Sequence, residues 1–144
     1  MNLPSLFAPS LRDASARVGL EFQGTAFRFG EIDTRSNRVA NLLLAQGCKS
    51  GDRVAVYLKN CVELIDVFLA CVKVGFIFTP INILYREGEI AHILADAAPR
   101  VLIAHRESDE ILAKVAKIPR LLTGEWKSFR LCWSRNRTPR HPPK

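Results

Sequence analysis

Few features of this sequence would fix a small protein from outside its core. The four cysteines, Cys48, Cys61, Cys71 and Cys132, include no CxxC pair and stand beside no histidine cluster. That spacing argues against a zinc site and against a disulfide framework. Thiols of this kind are expected to behave as small apolar residues in a reducing compartment. The N-terminus lacks a basic segment followed by a long apolar stretch, so no secretory signal is read. No run approaches the ~20 apolar residues of a membrane span, because Asp66, Lys73 and Pro80 interrupt the most apolar region. These absences lead to the expectation of a cytoplasmic protein with no membrane span and no metal site.

What is present suits one domain with a real core: 144 residues, 48% of them hydrophobic and 24% charged. The net charge of +7 suggests a nucleic-acid partner until its distribution is considered. Residues 1–118 carry 14 Lys and Arg against 13 Asp and Glu, a net of +1, whereas residues 119–144 carry 7 against 1, a net of +6. The basicity belongs to the tail, and the body gives no sign of binding nucleic acid.

The organising stretch is Gly51–Tyr85. Val54–Leu58 is too short for a helix and apolar throughout, which predicts a buried inner strand. Asn60, with Glu63 three residues later, has the spacing of a capping box. Val62, Ile65, Leu69 and Val72 then fall on one helical face, and Gly75 can take the left-handed conformation that ends a helix. A second apolar strand follows over Phe76–Ile81. Strand, helix and strand in about thirty residues make a βαβ unit with a right-handed crossover and parallel strands.

Elsewhere the pattern continues. Pro4 and Pro9 predict an irregular entry with one short helix near Ser10–Arg17. Glu21–Phe29 alternates about Gln23-Gly24 and reads as a β-hairpin. Glu31–Gln46 is a helix with Ile32, Val39, Leu42 and Leu43 facing inward, while Asp33, Arg35 and Arg38 lie off that stripe and read as a solvated face. Ile90, Ile93, Leu94 and Ala97 mark another helix that ends before Pro99, with His92 on its surface. Val101–Ala104 is a third strand, and a helix beginning at Ser108 carries Ile111, Leu112, Val115 and Ile118. Alternating strands and helices give an α/β fold of three layers, a mainly parallel sheet with flanking helices.

In open parallel sheets ligands bind at the carboxyl ends of the strands. The polar loop after the second strand, Asn82–Glu89, is therefore the candidate site. Asn82 offers an amide, Tyr85 a stacking ring with a hydroxyl, and Arg86 a cationic fork suited to phosphate. The competing reading makes Asn82 a turn cap, Tyr85 a packing residue and Arg86 a solvated charge. No residue is assigned a catalytic or metal-binding role.

Several separated segments, taken in order, carry a resemblance: Glu31-Ile-Asp-Thr-Arg-Ser-Asn-Arg-Val-Ala-Asn41, Gly51-Asp-Arg-Val-Ala-Val, Pro80-Ile-Asn-Ile-Leu-Tyr-Arg86 and Glu89-Ile-Ala-His-Ile-Leu-Ala-Asp96. From about Leu6 to Ala104 the sequence resembles the N-terminal part of an adenylate-forming, AMP-dependent synthetase of the acyl-CoA synthetase type. The resemblance implies the incomplete N-terminal portion of the adenylate-forming enzyme fold over residues 1–118, and it places Asn82, Tyr85 and Arg86 near the nucleotide end of coenzyme A. It also implies, for the full-length family, ATP, magnesium and CoA as cofactors and a carboxylic acid as substrate, activated to an acyl-adenylate and passed on as a thioester. At Arg28 the family commonly has Thr or Ser, and arginine offers no acceptor to a free helix amide, so the following helix should start weakly.

The family's Ser/Thr/Gly-rich phosphate loop ending in Pro-Lys-Gly, its acidic magnesium-linked motif and its catalytic lysine have no counterpart in these 144 residues. The expectation is a truncated N-terminal portion, inactive alone and needing no cofactor by itself. Residues 119–144 do not resemble the family and, being basic and proline-rich, are expected to form a disordered tail. A frameshift, a truncated frame or a joined segment accounts for the change at Pro119 better than a designed tail does. Two other readings stand beside this one: a module that binds nucleic acid or an anionic surface through the tail, and an interaction subunit completed by a separate chain. An incomplete sheet would also favour self-association through exposed apolar surface.

Overall fold

The computed structural model describes residues 2–124. Helix α1 (Leu3–Arg12) opens the chain. Strands β1 (Val18–Phe22) and β2 (Thr25–Arg28) form the hairpin, and helix α2 (Phe29–Ala45) follows. Strand β3 (Arg53–Tyr57), helix α3 (Val62–Val74) and strand β4 (Ile77–Pro80) make the central unit. Helix α4 (Glu87–Ala97), strand β5 (Val101–Ala104), helix α5 (Asp109–Val115) and strand β6 (Arg120–Leu122) complete the described residues.

The main sheet has the order β4-β3-β5-β6, and all three pairings are parallel. Starting at β3, the chain winds outward through β4, then crosses back over β3 to place β5 and β6 on its other side. The inner strands β3 and β5 have near-continuous apolar sequence because helices cover both faces. Val54, Val56, Val101 and Ile103 pack with Val39, Leu43, Val67 and Ala70 under α2 and α3. Ala55, Tyr57, Leu102 and Ala104 pack with Ile90, Leu94 and Leu112 under α4 and α5. Each fully buried Leu or Ile contributes roughly 1.5–3 kcal/mol relative to an exposed one, so these two layers dominate the favourable side of folding. The α/β three-layer fold is as expected. Among the described residues no helix is long and apolar enough to cross a membrane.

The hairpin turns at Gln23 and Gly24, both at positive φ, as a two-residue turn between twisted strands requires. Gly75 ends α3 at φ 87°. A Cβ there would lie 2.7 Å from Ser50 Oγ, so the residue is fixed both by conformation and by the close approach of the preceding loop.

Four local expectations need correction. The entry helix runs over Leu3–Arg12 rather than Ser10–Arg17: Asn2 Oδ1 accepts the Ser5 amide at 3.0 Å, and Pro4 sits in the first turn, where no amide is needed. The cap of α3 is Cys61, not Asn60, so Glu63 is the second helical residue and the reciprocal box cannot close. Asp33 and Arg35 are not a solvated face but partners of α3, whereas Arg38 is exposed. The sheet also continues past residue 118, because Leu121 and Leu122 are buried in β6, paired with β5. The rest of the expected tail, residues 125–144 with Cys132, lies outside the described residues.

Candidate functional site

The carboxyl ends of β3 and β4 open into a surface cleft of about 450 Å³. Its walls are apolar, with Val56, Leu64, Ile81 and Leu84 among them, and Lys59, Asn60 and Asn82 supply polar groups. This is the edge at which a parallel sheet leaves strand-end loops free to meet a ligand.

The loop after β4 is held from below. Tyr57, 8% exposed at the end of β3, points its hydroxyl at the carbonyl oxygens of Ile83 (2.9 Å) and Tyr85 (3.1 Å). One phenolic proton is thus shared between two backbone acceptors, tying the loop to the inner strand. Asn82 Oδ1 accepts the Leu84 amide at 3.0 Å, and the Asn82 carbonyl accepts the Tyr85 amide at 3.0 Å. The side chain therefore shapes the turn with its oxygen and keeps its NH2 group for other contacts.

Arg86 is the cap residue of α4, and its backbone N–H donates to Glu89 Oε2 at 2.9 Å. Hydrogen bonds from the Arg86 amide and from its own amide hold the Glu89 carboxyl below the usual carboxylate range. Helix α2 starts in the same way: the Arg28 amide donates to Glu31 Oε2 at 2.7 Å, and no side-chain acceptor answers from the arginine. The repeated Arg-x-x-Glu thus supplies the carboxylate half of a capping box at both helices.

Of the three expected site residues, all on one exposed loop, only Asn82 lines the cleft. Tyr85 and Arg86 lie further along, at the entrance to α4. Lys59 and Asn60 also line it; the sequence assigns Asn60 only a capping role and Lys59 none, although both directly follow the central strand and the same strand-end rule would have selected them. His105, which follows β5, was missed as well: Nε2 accepts the Lys59 amide at 3.2 Å, and Nδ1 lies 3.4 Å from Thr123 Oγ1.

The turn from β3 to α3 does not itself form a phosphate cradle. The turn from β3 to α3, Leu58–Cys61, contains no glycine whose amides could wrap a phosphate, and Glu63 places a carboxylate in the first turn of α3, where an anion would otherwise be welcome. Among the described residues no group of three metal-ligating side chains occurs. Burial pushes the Cys71 thiol up to about 12, with Cys48 adding to the effect. Such a thiol is a packing group rather than a nucleophile.

Behind the cleft, α2 and α3 interlock through charge. Arg35 forks onto Asp66, with Nη2 2.7 Å and Nε 3.0 Å from carboxylate oxygens, and its guanidinium lies 5.4 Å from the centre of the Phe27 ring. Asp66 is fully buried. Burial disfavours the Arg35 charge, but the bond and field of Asp66 outweigh it and raise its pKa. Lys73 Nζ reaches Asp33 Oδ1 (2.6 Å), Ser36 Oγ (2.7 Å) and Asn37 Oδ1 (2.8 Å). Here burial prevails and lowers the lysine pKa, against the pull of Asp33.

A sheet wound both ways from its first strand, helices on both faces and a cleft at the carboxyl edge define the doubly wound α/β class. Within that class the chain belongs to the AMP-binding enzyme family, whose profile matches residues 8–133. The match runs past both Ala104 and residue 118, so the expectation that family likeness stops there is corrected. Among curated proteins the chain is 36% identical over 104 residues to a feruloyl-CoA synthase of Amycolatopsis sp, covering 71% of this chain and 21% of that protein. It is 29% identical over 115 residues to a medium/long-chain-fatty-acid–CoA/3-oxocholest-4-en-26-oate–CoA ligase of Mycolicibacterium smegmatis, covering 80% of this chain and 21% of that one. The chain therefore spans about a fifth of the length of these relatives. Among solved structures, ATP-bound MatB of Rhodopseudomonas palustris superposes with a TM-score of 0.74 at 30% identity, over 83% of this chain and 25% of that one. VinN gives a TM-score of 0.83 over 88% of this chain and 34% of that one; at 23% identity it shows the fold alone.

Proposed function

We propose that these 144 residues are the opening part of an ATP-dependent carboxylate–CoA ligase, and that they do not form an acyl-adenylate by themselves. The observation that carries this reading is the sequence itself: it spans about a fifth of the length of its ligase relatives and contains no Ser/Thr/Gly-rich loop ending in Pro-Lys-Gly. Adenylation requires donors fixed around the transferring phosphate, which that loop supplies in the family. The expected result is no carboxylate-dependent pyrophosphate–ATP exchange by the 144-residue chain; exchange above background overturns the claim of inactivity.

Within the ligase, Asn82, Tyr85 and Arg86 form the side of the loop that meets the nucleotide end of CoA. All three are exposed, and the backbone that carries them is pinned by Tyr57. Titrating the chain with adenosine 3′,5′-bisphosphate should move the amide resonances of Tyr85 and Arg86, and Arg86→Ala should abolish the shifts. Unmoved resonances at millimolar ligand would reject this assignment while leaving the family reading intact. Residues 119–144 form a basic extension by composition, with its first part, Arg120–Leu122, built into the sheet as β6.

A further inference from the structure

The chain crosses over β3 to reach β5, so the boundary between these two strands is the switch point of the sheet, and one side chain bridges it. His105 follows β5, takes the Lys59 amide from the turn after β3 on Nε2 (3.2 Å), and turns Nδ1 toward the hydroxyl of Thr123 just past β6 (3.4 Å). A backbone amide can only donate, so Nε2 carries no proton in this arrangement; the neutral ring holds its proton on Nδ1, with the Thr123 oxygen as acceptor. Three strand ends thereby meet on one imidazole. Lys59 and Asn60, on the turn it holds, are also lining residues of the cleft.

We propose that neutral His105 is a proton-sensitive latch, holding the β3–α3 turn against the ends of β5 and β6, and that protonation at Nε2 releases this wall of the cleft. Protonation turns the acceptor into a donor facing another donor, so the Lys59 amide loses its partner. The charged residues on the segments that meet the ring are of both signs. Lys59 is cationic on the β3 side. On His105's own segment Arg106 and Glu107 are exposed, and α5 presents Asp109, already committed to Arg120 at 2.8 Å. The β6 side presents Thr123, which is uncharged. The inference is independent of the ligase reading and concerns the cleft whatever it binds.

The test is amide hydrogen exchange and imidazole nitrogen NMR on the 144-residue chain, compared between about pH 8 and about pH 5. After correction for the intrinsic pH dependence of exchange, protection of the Lys59 amide should fall about tenfold at the acid end, while amides of the β3 interior keep theirs. In His105→Gln the side-chain oxygen can still accept, so protection should persist at both ends; in His105→Ala it should be absent at both. Equal Lys59 protection at the two ends of the wild-type range, a neutral ring protonated on Nε2, or a His105→Gln chain with the wild-type pH response would each overturn the proposal. Should the alanine variant fail to fold, the wild-type and glutamine pair still decides the question.

Discussion

At the α2–α3 interface Arg35 and Lys73 each meet a carboxylate, at 2.7 and 2.6 Å, with only 21% and 15% of their side chains exposed. At the carboxyl edge of the sheet Lys59 and Arg86 carry the same charge on exposed side chains, and the groups holding that edge together are a tyrosine, an asparagine and a histidine bound to backbone. The difference teaches where charge specifies structure and where it remains available. A fully buried Asp66 admits one docking geometry of α3 on α2, because any other leaves a carboxylate without a cation in an apolar layer. At the edge, neutral hydrogen bonds fix the backbone, and the cations are left to meet solvent or ligand.

Three substitutions would break or sharpen that contrast. The largest expected effect is at Arg35: Arg35→Ala removes the cation facing buried Asp66 and should cost about 3 kcal/mol in urea unfolding of the 144-residue chain. A loss below about 1 kcal/mol would mean that the interlock behaves as a surface pair and the contrast fails. Next comes Tyr57→Phe, which keeps the ring but deletes the donor to Ile83 and Tyr85. It should cost about 1 kcal/mol and raise amide exchange in residues 82–86 while sparing α2 and α3. Faster exchange at both regions would show that the edge is not separately held. The smallest is Glu89→Gln. Because the Glu89 carboxyl is held below its ordinary value in the fold, its contribution is present above the unfolded pKa of about 4.3 and lost as pH falls through the lower folded value. The variant should therefore have a slightly lower Tm at neutral pH, where the wild-type carboxylate is ionised, and converge with the wild type at the acid end, where that carboxyl is protonated; equal Tm values at neutral pH would show that the charge on the cap contributes nothing.

Most of the element order was readable. Val54–Val56 and Val101–Ala104 are short apolar runs bounded by polar turns, and the 3.6-residue stripe of α2 lies where Ile32, Val39, Leu42 and Leu43 place it. What failed had physical causes. β6 has three residues, too few to show any period, and follows Pro119 at the start of a basic stretch. The α3 cap shifted by one residue, which was enough to undo the Asn60–Glu63 pairing. At the candidate site, the loop was legible from the strand-end rule, and so in principle were Lys59 and Asn60. That Asn82 would spend its oxygen on the turn at Leu84, while Tyr85 and Arg86 stand away from the cleft, depends on the path of the backbone rather than on residue type.

Local periodicity and turn chemistry by themselves determined the sequence of strands and helices and the two-faced burial of the sheet, because they act over a few neighbouring residues. The partners of Arg35, Lys73 and His105 lie 31, about 40 and 46 residues away in the chain. Only the tertiary structure decided those pairings and the crossing of β3 that creates the switch point, since distant groups meet only once the layers have packed and excluded water between them.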